Sequence, residues 1–347
     1  MEKRGVMKRL LVVTHCSPSG LPQQGFIVAE RLRDSGVHVK VIGRAASAWG
    51  RLAEIVLYSL CLIPRYEVVL VDVFGLRAFA YESVALLWGR FWRKHVVAFL
   101  HNGSMPDFVK LFPRWTRFVL LKPNLVLVPH QYLKAELGAL GIRIDRTIQN
   151  FIQLENYRYR ERVILAPRFL YLRGTHSEYN APMALRVFAL IQKAHPDAHL
   201  TMAGKDGEDY SYCRSLVKEL RLRNVQFVGI VPKQDITAVA DKHDIYINTS
   251  RVDNMPVTVI EMWACGLAIV ATNVGGIPHL IRDGVDGILV NSEDSKGMAN
   301  ACLRLLADST LAKSLSRNGR ARAEQLSWEN VKPIWEAALN LVSSNIA

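Results

Sequence analysis

Residues 249–278 read TSRVDNMPVTVIEMWACGLAIVATNVGGIP, and they hold a strand end, a loop, a helix, a turn and a second strand in close succession. The run before them, DIYINTS (244–250), is short and apolar and reads as a strand. Asp253 or Asn254 can cap the helix that follows, and Pro256 suits its first position, where a missing amide costs nothing. The predicted helix covers Val257–Cys265, and Gly266 ends it as a left-handed cap. LAIVATN (267–273) is apolar on both faces, as a strand of a parallel sheet covered on both sides must be. The opening amides of Val257 and Thr258 make a ready anion site, for which a diphosphate is a fitting occupant. Glu261 lies on a face that is otherwise apolar, so its carboxylate needs a partner. Ribose hydroxyls of a nucleotide would serve, and so would backbone amides or an arginine. Asp253, in the loop, is either a plain cap or a group reaching past the phosphates toward a sugar.

The same alternation extends in both directions. RFLYLRG (168–174), HLTMAG (199–204), VQFVGIV (225–231) and GILV (287–290) read as strands, with helical stretches at 181–194, 211–221, 234–242 and 296–306. The first half repeats the scheme with strands at 10–15, 37–43, 68–73, 95–101 and 125–129. This predicts α/β architecture with two Rossmann-like doubly wound domains. The expected division is 1–155 and 156–347, with a charged linker at 150–165 and the last helix a candidate to return to the first domain. Ligands of such sheets sit beyond the carboxyl ends of the strands, so the two domains are expected to face a cleft that holds the active site.

Half of the 347 residues are hydrophobic and 22% are charged, a globular composition. Five scattered cysteines with no CxxC pair argue against a disulfide framework or a zinc site, and fit a reducing, cytoplasmic setting. No double-Asp motif or His cluster is present, so no metal is expected. The longest apolar stretch, Ile55–Ile63, falls short of the ~20 residues that a spanning helix needs, so a soluble or peripheral protein is expected. Residues 1–160 carry 23 Lys and Arg against 11 Asp and Glu, whereas the remainder carries 21 against 20. So one-sided a charge suits an anionic partner. RLAEIVLYSLCLIPR (51–65), LLWGRFWRK (86–94) and FPRWTRFVLLK (112–122) set Trp, Phe and Leu beside cations. Each alone is an ordinary amphipathic helix, but the three with the charge imbalance predict an anionic membrane surface as partner. No RNP-like or KH-like pattern appears, so nucleic acid is not expected.

The 249–278 stretch resembles the donor-binding motif of family 4 (group 1) glycosyltransferases. That motif has two acidic residues eight apart across a strand–loop–helix junction, then a Gly-ended helix, a strand and a Gly-Gly turn. Here these are Asp253 and Glu261, with Asn254, Met255, Pro256 and Val257 between them, then Gly266, Val270 and Gly275-Gly276-Ile277-Pro278. The DNMP variant resembles members that build bacterial surface polysaccharides. Asp253 stands where the family usually has Glu, Met262 where it has Ala, and His279 where it has Glu. LYLRG (170–174) resembles the strand that supplies a phosphate-binding arginine, Arg173. Glu178 occupies the place of the usual second cation, which leaves Lys205, exposed loop lysine or substitute, as the candidate. Gly229 matches the loop that packs on the donor base, and Asn150 in IQNFI (148–152) matches the interdomain crossover. SPSGLPQQGF (17–26) resembles the glycine loop, with Gly20 and Gly25 in place of an adjacent pair, and His101 matches a family histidine that faces the donor sugar.

The resemblance implies a GT-B fold with an acceptor-binding first domain. The implied reaction moves a hexose-type sugar with retention, without metal or other cofactor, from a nucleotide-sugar to a saccharide or lipid-linked acceptor. It implies catalytic roles for Asp253, His101 and Arg173, and donor contacts for Glu261, Asn254, Met255, Pro256, Val257, Thr258, Gly229, Lys205 and Gly25. A nucleotide-sugar 2-epimerase, a donor-binding protein without turnover and an RNA-binding protein are the competing readings.

Overall fold

The computed structural model describes residues 9–14, 24–43, 45 and 47–340, apart from the side chains of Ala48 and Leu76. Gly20 and most of its loop lie outside the described residues. The chain forms two units, one of the residues up to Asn150 together with those from Val331 onward, the other Phe151–Asn330.

In the first unit the elements run β1 (Leu10–Val13), α1 (Gln24–Asp34), β2 (Val39–Ile42), α2 (Ala48–Leu62), β3 (Val68–Val73), α3 (Phe79–Phe91), β4 (His95–Leu100), α4 (Met105–Leu111), α5 (Pro113–Leu120), β5 (Leu125–Val128), α6 (Gln131–Ala139) and β6 (Arg146–Thr147). The strands form one sheet in the order β2-β1-β3-β4-β5-β6, parallel throughout. Every residue of β3 is buried, because helices cover both faces. The five strands expected from sequence are present. The sixth, β6, is a two-residue edge strand too short to carry a pattern.

The second unit runs β7 (Arg168–Leu172), α7 (Ala181–Ala194), β8 (His199–Ala203), α8 (Tyr210–Glu219), β9 (Val225–Gly229), α9 (Ile236–Ala240), β10 (Ile245–Asn248), α10 (Val257–Ala264), β11 (Ala268–Thr272), α11 (Ile277–Leu280), β12 (Ile288–Val290), α12 (Ser295–Ala307) and α13 (Ser309–Gln325). Its sheet has the order β12-β11-β10-β7-β8-β9, again all parallel. Alternate residues serve opposite faces: Phe169 and Tyr171 of β7 join one core cluster, Leu170 and Leu172 the other. A last helix, α14 (Trp328–Ala338), follows. Its Trp335 packs edge-on to Phe99 of β4 with ring centroids 5.2 Å apart.

The stretch read as a linker is a brace on the second unit. Arg162 is 1% exposed, and its guanidinium donates to the carbonyls of Ala240 (2.8 Å), His243 (2.9 Å) and Cys265. Burial, with Arg160 alongside, pulls its pKa down to about 10. Arg160 and Arg168 each reach the buried Asp244 at 2.9 Å. These bonds fix the chain that follows Tyr157, which matters for the site.

Candidate functional site

The strand order of the second unit sets β7 beside β10, while the chain leaves β7 toward one edge of the sheet and β10 toward the other. Such a switch point opens a crevice at the carboxyl ends of the two strands. Arg173 follows β7, and the loop carrying Asp253 follows β10. Arg173 Nη2 and Asp253 Oδ2 form an ion pair there, with the side chains 17% and 10% exposed. The guanidinium also lies over the Tyr179 ring, 4.6 Å from its centroid.

Local bonds place both partners. Tyr171 Oη donates to the carbonyls of Gly174 (3.0 Å) and Tyr179 (3.2 Å), which pins the loop between them. Gly276 N donates to Asp253 O at 2.9 Å. Gly275 takes φ +52°, and a side chain there would strike the same carbonyl. The Gly-Gly turn is thus the seat of the Asp253 loop.

The helix opening corrects the capping expectation. Pro256 is itself the N-cap, with no side-chain cap bond, and α10 starts at Val257. Asp253 does not cap it because its carboxylate is taken by the guanidinium, a stronger partner than a neutral amide. The amides of Val257 and Thr258 open the helix, where no carbonyl of the helix itself can meet them. The far end closes as expected: Gly266, at φ +83°, donates to Trp263 O (2.9 Å), and Leu267 N donates to Met262 O (2.9 Å).

Glu261 is 5% exposed, and Tyr157 Oη donates to its Oε1 at 2.6 Å. Burial raises its pKa above the ordinary carboxylate value, against the Tyr157 bond and the charges of Lys233 and Arg173. Burial beside this carboxylate also drives the Tyr157 hydroxyl well above its ordinary pKa. Thr258 Oγ1 lies 2.9 Å from Tyr246 Oη.

The remaining expected donor residues are less tightly grouped. Met255 is buried in the core cluster under α10, and Asn254 is half-buried. Lys205 has an exposed side chain, and its carbonyl is what meets the Arg173 loop, accepting from Thr175 N at 3.0 Å. Gly229 ends β9 at φ +68° beside open space.

The first unit has its own switch point, between β1 and β3. Thr14 follows β1 and donates through Oγ1 to Asp72 Oδ2 of β3, a fully buried carboxylate. His101 follows β4, with Nε2 3.9 Å from Asp72 Oδ1 and its ring stacked on Phe99 at 5.2 Å. Gly25 sits in the first turn of α1 against Asp72, and a side chain there would collide with that carboxylate. Asp72 was absent from the expected site, although a lone acid inside VVLVDV (68–73) is a readable signal of a group with a job. Tyr157, Tyr179 and Lys233 gave no such signal, since each lies in a loop or turn.

Known proteins resemble this chain in sequence over its second half and in fold over nearly its whole length. Residues 166–322 match the family model described as Glycosyl transferases group 1. D-inositol 3-phosphate glycosyltransferase of Corynebacterium jeikeium is 28% identical over 152 residues, which are 42% of this chain and 36% of the relative. N-acetyl-alpha-D-glucosaminyl L-malate synthase of Bacillus anthracis is 32% identical over 126 residues, 36% of this chain and 32% of the relative. The matches thus span about a third of the length of these curated relatives. Among solved structures, Anabaena HepE in complex with UDP-glucose superposes with a TM-score of 0.79 at 18% identity, covering 96% of this chain and 100% of that one. Sucrose-phosphate synthase of Thermosynechococcus elongatus gives 0.75 at 17% identity, covering 95% and 98%. The fold is GT-B, with two Rossmann-like domains.

Proposed function

We propose that the protein is a retaining glycosyltransferase, moving a hexose-type sugar from a nucleotide-sugar to a saccharide or lipid-linked acceptor in glycoconjugate or surface-polysaccharide synthesis, a reading supported by the match of residues 166–322 to the group 1 glycosyl transferase model. The observation that carries the proposal is the set of groups at the β7–β10 switch point. A guanidinium, a helix N-terminus and two carboxylates are what a donor with a diphosphate, a ribose and a sugar requires.

In this reading Arg173 and the amides of Val257 and Thr258 hold the diphosphate. They stabilise the charge that grows on it as the glycosidic C–O bond breaks. Glu261 keeps one oxygen on Tyr157 and offers the other to the ribose. Asp253 and His101 serve the sugar. The acceptor oxygen attacks the anomeric carbon on the face that the diphosphate leaves. Its proton passes to the departing phosphate oxygen, so no strong base is needed and no metal is assigned a role. Positioning supplies the remainder of the rate. The basic first half is read as meeting an anionic membrane surface at the cytoplasmic face, where a lipid-linked acceptor would lie. Among the described residues, no helix is long and apolar enough to cross a membrane.

The test is transfer from a panel of UDP-, GDP- and ADP-sugars to a membrane-lipid extract, with the anomeric configuration of the product read by NMR. A product with the donor's configuration is expected. An inverted product would remove the same-face mechanism, and free epimerised nucleotide-sugar without acceptor transfer would replace the transferase with an epimerase.

A further inference from the structure

Helix α2 is apolar on both sides. Ile55, Ser59 and Ile63 are its buried stripe, continuing into the following turn. The opposite side exposes Trp49 (81%), Leu57 (61%), Tyr58 (50%) and Leu60 (39%). No charged residue occurs from Ile55 to Pro64. A helix that is apolar all round is normally covered on all sides.

The C-terminal end of α3 extends this surface. Trp88 Nε1 donates to Leu60 O at 3.3 Å, and Lys94 Nζ donates to Pro64 O at 2.8 Å. Trp88 stacks on Phe91 at 5.0 Å, and Phe91 meets Trp92 edge-on at 5.8 Å. Phe91 is 70% exposed and Trp92 44%. The outcome is one continuous apolar ridge along both helices.

Beyond Glu54 its charge has a single sign. No acidic residue lies between Glu54 and Glu67 or between Glu82 and Asp107, while Arg65 and Arg93 are exposed on the same two segments. A second copy docked on the ridge by a two-fold axis would bring like charges together. An anionic bilayer instead takes the aromatic and aliphatic side chains at its interface and the cations among its headgroups. We propose that the α2–α3 ridge docks this protein on an anionic membrane by inserting Leu57, Leu60, Phe91 and Trp92 at the interface. The inference rests on the membrane reading above and gives that partner a defined surface.

Arg93 supplies a clean probe. It holds φ +53° in the cap of α3, where Arg93 N donates to Arg90 O and Lys94 N to Gly89 O, each at 3.0 Å. Glycine takes that conformation more easily, so Arg93→Gly stabilises the fold while removing an interfacial cation. The experiment is sedimentation of the full chain with phosphatidylglycerol–phosphatidylcholine vesicles and with phosphatidylcholine alone, alongside light scattering without lipid. Wild type is expected to sediment with the anionic vesicles and to be released by salt. Arg93→Gly should raise the melting temperature yet weaken vesicle binding roughly fivefold. Phe91→Ser with Trp92→Ser should remove binding at an unchanged melting temperature. Equal binding by these variants and wild type would overturn the ridge and leave the membrane reading intact. No vesicle binding by folded wild type would overturn both. A wild-type dimer that the ridge variants render monomeric would make the ridge a protein interface and refute the proposal.

Discussion

Exchange of Asp253 for asparagine should separate phosphate binding from sugar transfer. In the free protein the Asp253 carboxylate occupies Arg173, the cation assigned to the diphosphate. An incoming nucleoside diphosphate must share that guanidinium and accept a negative neighbour. At an effective dielectric of about 20, a carboxylate about 5 Å from a phosphate charge repels it by about 3 kcal/mol. Water reaches both side chains, which are 17% and 10% exposed, and roughly halves this to about 1.4 kcal/mol, a tenfold change in affinity. Asp253→Asn keeps the side-chain shape, and the bond from Gly276 N to the backbone of residue 253 is untouched. The variant should therefore bind UDP or GDP about tenfold more tightly than wild type by calorimetry, while sugar transfer falls by a hundredfold or more. Without nucleotide its melting temperature should drop, because Arg173 has lost its ion partner, and saturating nucleotide should restore it. Arg173→Ala should weaken both binding and transfer. If folded Asp253→Asn binds nucleoside diphosphate no better than wild type, the carboxylate does not compete with phosphate for Arg173 and the assignment of that residue is wrong.

Three further substitutions probe the remaining parts. Glu261→Gln should weaken nucleotide binding by about 10- to 100-fold, the worth of hydrogen bonds to an ionised group. Because burial raises the Glu261 pKa, the native state keeps a proton that the unfolded chain releases, so wild-type stability falls as pH rises from the ordinary carboxylate range through the raised value. Glu261→Gln lacks that slope, and melting curves at pH 8 should show it at least as stable as wild type. Gly275→Ala puts a side chain at φ +52° against Asp253 O and should cost about 2 kcal/mol in denaturant unfolding. Gly25→Ala drives a methyl group into Asp72 in the other unit; it should lower transfer while leaving nucleotide affinity within about twofold of wild type.

The sheets were legible because their strands are covered on both faces, so that runs such as VVLVDV and LAIVATN are apolar without interruption. The 249–278 segment was legible for a related reason: Gly266 and Gly275 take left-handed backbone where a side chain would clash, and Glu261, ahead of both, stands out against apolar neighbours. What stayed hidden were pairings across the chain. Nothing in the spacing announces that Tyr157 bonds Glu261, 104 residues away, or that Asp253 binds Arg173 rather than capping α10. The stretch 150–165 looked like a linker because its arginines follow no period; they bond backbone carbonyls of loops and helix ends, which have no period to match. Asp72 could have been found from its burial in an apolar strand. Its partners Thr14 and His101 come from two other strand ends and meet it only in the fold.

A nucleotide-sugar site at the β7–β10 switch point is tested by calorimetric titration of the full chain with UDP-glucose, GDP-mannose and ADP-glucose, repeated with Arg173→Ala. Saturable one-to-one binding of at least one donor, lost in the variant, is expected. Folded wild-type protein that binds none of the three, or a variant that binds as well as wild type, would contradict it.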